Sequence, residues 1–339
     1  MVDTRETPLT HVRLRAAVLA ALPLTALAVL VPAGAASADA VAADAGVSAP
    51  APLVPLYAGS SEAETLVAED AGDPAVTTAA RATIRVSYTG FTPAAKASFQ
   101  RAVDAWSRQI SSPVPITVNA RFADLGANVL GSAGPRLRAN FAAAPQRNTW
   151  YAEAIANKSA GRQLDGSADI EAQFNRQFSN WHYGTGPAPK GTYDFQSVVM
   201  HELGHGLGFI GAGRVSGDRG TVLYRAAGVA LPLAYDRYTE NGSGKKLLSF
   251  ADPSAALKTQ LTSGRLFFDS PQVRSANGGK PAELYAPRSF NGGSSYSHLD
   301  ESTYRAGNRN SLMTPQIGDG ETVRTPGPLT SAIFRSTGW

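Results

Sequence analysis

The chain of 339 residues contains no cysteine. That absence excludes disulfide bracing, thiolate metal ligands, a lipid anchor on cysteine and any latency device in which a thiol blocks a metal. Histidine is nearly as scarce, with five in all: His11, His182, His201, His205 and His298. A site needing several imidazoles must draw on that short set. Residues 39–80 hold seven Asp or Glu and not one Lys or Arg. Rich in Ala, Pro and Ser, this stretch has little to bury and reads as an acidic linker or prosegment, a flexible spacer being its plainest form. Long apolar runs are missing too, with one exception. Ala16 to Leu30 is apolar, follows Arg5, Arg13 and Arg15, and precedes Ala36-Ser37-Ala38. Residues 1–38 are therefore predicted to be a signal peptide cleaved after Ala38. A membrane helix is disfavoured because the run contains Pro23 and is shorter than the roughly 20 residues a span requires. The expectation is a secreted, extracellular protein without stable membrane association.

From Arg81 onward the composition is that of a globular domain, with 28 Lys or Arg against 18 Asp or Glu. The excess is spread along the chain without the basic and aromatic clustering of nucleic-acid binders, so no nucleic-acid partner is expected. About 260 residues can bury one substantial core. Periodicity predicts strands over Thr83–Tyr88, Val114–Phe122 and Ala168–Phe174, with weaker ones at Ala127–Leu130 and Thr149–Ile155. Thr92-Pro93 opens a helix running to about Ile110, Asp194 is placed to cap another, and Pro328–Phe334 predicts a last short one. Trp339 is expected to pack as an anchor.

The chemistry is concentrated in His201-Glu202-Leu203-Gly204-His205-Gly206-Leu207-Gly208-Phe209. On a helix, His201 and His205 share a face one turn apart, with Glu202 beside them. Two such imidazoles are half of a hydrolytic zinc site, which needs three protein ligands and an open position for water. A bound zinc lowers the pKa of its water to about 7, and a neighbouring carboxylate can take the proton as the water attacks a carbonyl. Glu202 is placed for that role. Gly208, three residues after His205, supplies the flexible backbone for a sharp helix exit.

This signature resembles the metzincin metalloproteases, whose active-site helix ends at such a glycine. Their usual third ligand falls at Gly211 here, which has no side chain to bind with. His298, in Tyr296-Ser297-His298-Leu299-Asp300, is followed by Ser311-Leu312-Met313-Thr314-Pro315, which is similar to the metzincin Met-turn. The order of helix, late histidine and Met-turn is similar to leishmanolysin-like members, and it makes His298 the expected third ligand. Glu240, Glu283, Glu301 and Asp300 stay open as competitors, while His182 is read as structural. The resemblance implies an α+β fold: a twisted mixed sheet with long helices in an N-terminal subdomain (81–208), a cleft, and a largely irregular C-terminal subdomain (209–339). It further implies one catalytic Zn2+, Glu202 as general base, Met313 beneath the metal, and a protein or peptide substrate. Ala168, Ile170 and Ala172 would form a sheet edge above the cleft, and Thr314, Pro315 and Gln316 one of its walls. Pro315 stands where astacin and serralysin relatives carry an oxyanion-stabilising tyrosine. Ca2+ sites are an expectation without assigned residues, Asp70 or Asp73 are candidates to block the metal from a prosegment, and a monomer is expected. Two other readings are a zinc hydrolase acting on cell-wall or glycan material and a non-catalytic exported binding protein.

Overall fold

A computed structural model describes residues 45–60, 63–68, 72–73 and 76–339. The signal-peptide reading and Asp70 lie outside the described residues. In chain order the elements that frame the site are β1 (Val47–Pro50), β2 (Val54–Gly59), β3 (Thr65–Val67), β4 (Ile84–Thr89), α1 (Pro93–Ser107), β5 (Ile116–Ala123), β6 (Val129–Ala139), β7 (Trp150–Ala152), α2 (Glu153–Ala160), β8 (Ile170–Asn175) and α3 (Phe195–Gly206). Much later come β9 (Gln316–Gly318), β10 (Glu321–Val323) and α4 (Gly327–Thr337). The protein is a mixed helix and strand fold built on one mixed sheet, in the order β9-β2-β6-β8-β5-β4, with β1 and β7 also pairing with β6. The β4, β5 and β8 ladder is parallel, whereas β6 runs antiparallel to both β8 and β2.

Local chemistry explains the elements. Thr92 caps α1 by accepting from the Ala95 N–H at 3.2 Å, with Pro93 pre-set for the first turn. Phe99, Val103 and Trp106 then fall on one buried face. Trp106 ties α1 to α3 through a 3.0 Å hydrogen bond to the Met200 carbonyl and stacks on Phe334 of α4 at 5.1 Å. Trp339 donates to the Leu207 carbonyl at 2.7 Å, anchoring the chain end beside the exit of α3.

Several expectations need correction. The stretch read as a linker or prosegment supplies β1, β2 and β3, so it is not a flexible spacer, and β2 lies inside the main sheet between β6 and β9. Its prolines are compatible with this because β strands accept proline where no ladder donor is required. β8 is not an edge: β5 and β6 pair with its two sides. The stretch predicted as a strand from Thr149 turns helical at Glu153. The C-terminal part carries short elements joined by irregular stretches, and it returns to the main sheet. Residues 209–297 hold two hairpins, a three-stranded sheet and two short helices, while β9 and α4 return to the sheet and to α1. Among the described residues, no helix is long and apolar enough to cross a membrane.

Candidate metal centre

α3 begins where Asp194 accepts from the Ser197 N–H at 3.0 Å and from the Ser197 hydroxyl at 2.6 Å. Arg324 closes on the same carboxylate at 2.8 Å. Every residue of α3 is buried, so this helix runs through the interior rather than over a surface. It ends abruptly. Gly208 takes a φ of 116°, its N–H reaches the His205 carbonyl at 3.0 Å, and Phe209 N–H reaches back to Gly204 at 3.0 Å. That glycine stop turns the chain away directly after the second histidine.

One helical turn places His201 and His205 with their Nε2 atoms 2.9 Å apart. His298 brings a third Nε2 to 3.2 Å from His205 and 3.3 Å from His201. Each ring is oriented from behind: Nδ1 of His201 donates to Leu312 at 2.6 Å, that of His205 to Phe209 at 2.7 Å, and that of His298 to Ser294 at 2.7 Å. A carbonyl oxygen can only accept, so the protons sit on Nδ1. In the neutral rings all three Nε2 atoms then present lone pairs to one point, an arrangement that lacks any proton to share. It fits a cation, and the backbone partners are those that orient metal-bound imidazoles. Burial keeps the rings neutral, pulling His201 down to about 4 and His205 and His298 well below the usual imidazole range, the mutual repulsion of the rings adding for the latter two. The three buried histidines are close enough to hold one metal ion.

The turn at residues 311–313 is the floor beneath them. Met313 is fully buried, and a Cβ placed on Gly204 would stand 2.7 Å from its sulfur, so only glycine lets the thioether lie against the helix between the two ligands. The same turn offers the Leu312 carbonyl to His201 and the Met313 carbonyl to the Leu299 N–H at 2.8 Å, fixing the residue next to His298. Gly211, where a compact third ligand would fall, is packed so tightly that a Cβ would meet the Tyr296 ring at 2.2 Å. Tyr296 itself holds a left-handed φ of 78°, secured by its hydroxyl on Asp236 at 2.8 Å and its N–H on the Tyr285 carbonyl at 2.7 Å. Asp236 also accepts from Ala212 and Leu233, so one buried carboxylate ties the exit of α3 to the loop carrying His298.

Glu202 is fully buried, and neither of its oxygens takes a hydrogen bond of normal geometry. Burial therefore raises its carboxyl well above the ordinary range, against a small opposing pull from the backbone N–H groups of Leu56 and Ala133. A carboxylate without partners in the interior is costly for folding alone. β6 makes room for it: a Cβ on Gly131 would lie 2.9 Å from Glu202 Oε1.

The other expected site residues divide. Ile170 and Ala172 are buried, and Ile170 packs where a Cβ on Gly206 would strike it at 2.3 Å, so they lie beneath α3 and form no rim. Ala168 lines a surface depression with Asn119, Glu171 and Gln173, a depression that none of the three histidines lines. Thr314 and Pro315 are buried and Gln316 is exposed, and the segment flanks β2: Pro315 O accepts from Tyr57 N–H at 3.2 Å. His182 bonds to the Gly186 carbonyl at 3.1 Å, away from the trio. Glu240 pairs with Lys246 at 3.0 Å, Glu283 and Asp300 accept from Thr303, Glu301 faces Glu321, and Asp73 pairs with Arg335 at 2.8 Å. Among the described residues no further group of three His, Asp or Glu side chains gathers at metal-binding distance, so the calcium expectation acquires no residues. Sequence reasoning missed Leu56, Gly131, Asp236 and Tyr296; the Gly-Ser-Ala-Gly-Pro run at 131–135 is the one signal of close backbone approach that could have led to β6. Compared with protein-family models, curated proteins and solved structures, the chain finds no match.

Proposed function

We propose that this protein is a secreted zinc endopeptidase with a metzincin-like site. The observation that carries the reading is the convergence of three proton-free Nε2 atoms beside a buried carboxylate that has no structural partner. Three nitrogens about 2.0–2.1 Å from one tetrahedral ion stand about 3.3–3.4 Å apart. The spacing of 2.9 to 3.3 Å supports zinc held by His201, His205 and His298. The position of Met313 against Gly204 supports the metzincin comparison.

Zinc bound there supplies a Lewis acid and a water whose pKa falls to about 7. Glu202 is the base: its carboxylate takes a proton as the water oxygen bonds to the peptide carbonyl carbon. Its raised proton affinity suits the second half of the reaction, in which the C–N bond breaks and the same proton passes to the departing amine nitrogen. The backbone acceptors behind each imidazole keep the rings from turning.

Glu202→Gln tests this. Zinc content should stay at the wild-type value while hydrolysis of casein or a peptide library falls by about 10²–10⁴-fold. Undiminished hydrolysis would refute the role of Glu202. Zinc binding without hydrolysis of any peptide, by the wild-type chain and by a Leu56→Asp variant alike, would favour a non-protein substrate or a binding role.

A further inference from the structure

β2 is held from both sides by strands that do not otherwise meet. It runs antiparallel to β6, with Val54 opposite Ala133 and Leu56 opposite Gly131, and parallel to β9, with Tyr57 opposite Gln316 and Gly59 opposite Gly318. Without it, β6 and β9 would face each other across an open slot one strand wide. Two open sheet edges at strand spacing are a ready receptor for an extended peptide. The slot also lies over the chemistry. Leu56 pairs with Gly131, at which a Cβ would stand 2.9 Å from Glu202 Oε1, so the strand backbone at Leu56 borders the carboxylate, which is where a leaving amine must stand to collect a proton. The Leu56 side chain, 1% exposed, is buried beside the first histidine: it lines a small cavity together with Ser197, His201, Leu312, Ile317, Glu321 and Val323.

We propose that residues 54–59 occupy the substrate groove of this enzyme as a built-in surrogate, with the Pro55–Leu56 bond in the place of the bond to be cut, and that substrates are extended peptides carrying a leucine-sized apolar residue just after the cut. The proposal rests on the zinc endopeptidase reading. It makes the chain latent while β2 is seated, without a thiol, and release of this strand is the activating event. The strand carries no Lys, Arg, Asp or Glu, and its side chains at the site are apolar. A tethered occupant acts at an effective concentration on the order of millimolar, enough to exclude free peptides present at micromolar levels.

The test uses the zinc-loaded full chain and a fluorescein-labelled synthetic peptide of residues 52–60, read by anisotropy, with a fluorogenic peptide containing Leu at the matching position for turnover. Leu56→Asp buries a carboxylate at a position that shares its cavity with Glu321 and should expel the strand. Tyr57→Pro, which deletes the N–H that reaches Pro315, is the second variant. Both variants should bind the peptide and hydrolyse the substrate at least about tenfold faster than wild type, which the tether protects. A substrate with Asp in place of that Leu should be cut much more slowly. Equal binding and turnover by wild type and variants would overturn the proposal. So would loss of fold in both variants, since β2 would then be an integral strand. Peptide binding by the variants with no cleavage would keep the groove assignment and refute the peptidase reading instead.

Discussion

Below the three imidazoles, side chains and carbonyls from four distant segments converge: α3, the 294–298 loop, the 311–313 turn and, through Asp236, the loop after α3. Above them lies a single six-residue strand held by backbone pairing and by the buried side chains of Val54 and Leu56. The floor is specified by chemistry that only certain residues supply, whereas the roof is specified by hydrogen bonds that any extended chain offers. On the proposed reading, that difference separates the machinery from an exchangeable occupant. Changes in the floor should cost stability and metal, and changes in the roof should leave metal binding intact.

The largest effect is expected at the start of α3. Asp194 and Arg324 form a buried pair, and breaking one partner of such a pair costs about 3–5 kcal/mol. Asp194→Ala should show that loss in urea unfolding and lower zinc affinity, because the helix presenting two ligands starts there. A loss under about 1 kcal/mol, the range of an exposed pair, would show that the floor does not depend on this cap.

Glu301 sharpens the comparison on the wall beside the roof. Burial and the facing Glu321 carboxylate raise it to about 7. A raised folded-state value means that its stabilising contribution is complete below about pH 4, the unfolded carboxyl range, and is lost as pH rises through about 7. Glu301→Gln should therefore be more stable than wild type at pH 8, by on the order of 1–3 kcal/mol, and nearly equal to it at pH 4. Parallel stability curves for the two proteins would contradict this account of the wall.

The smallest effect is expected at Met313. Leucine has nearly its volume, so Met313→Leu should cost less than about 1.5 kcal/mol and leave zinc stoichiometry unchanged. Loss of zinc in that variant would mean that the thioether does more than fill space against Gly204.

The floor was legible in the sequence because its chemistry demands rare residues at fixed intervals. Two histidines four apart need only a helix to share a point, the glycine at 208 ends that helix, and a chain with five histidines leaves few choices for a third. The roof was not legible. Val54 to Gly59 has no charge to flag it, and its neighbours carry the Ala and Pro content of a spacer. What makes it a strand is the pair of edges waiting for it, a tertiary property absent from local propensity. The weak strand expected at Ala127–Leu130 reached only the first two residues of β6, for a related reason. Gly131 and Gly134 lower its strand propensity, yet a Cβ would strike Glu202 at the first and the Pro52 carbonyl at the second. The same glycines that hide the strand admit its neighbours. The placement of β8 at an edge failed because alternation identifies a half-buried strand but not its partners.

Zinc titration of wild type and His298→Ala, with metal content measured on both, tests the central claim most directly. The account predicts one tightly held zinc per wild-type chain and an affinity weakened by orders of magnitude in the variant. Equal affinity in the two proteins, or a wild-type chain that binds no zinc, would contradict it.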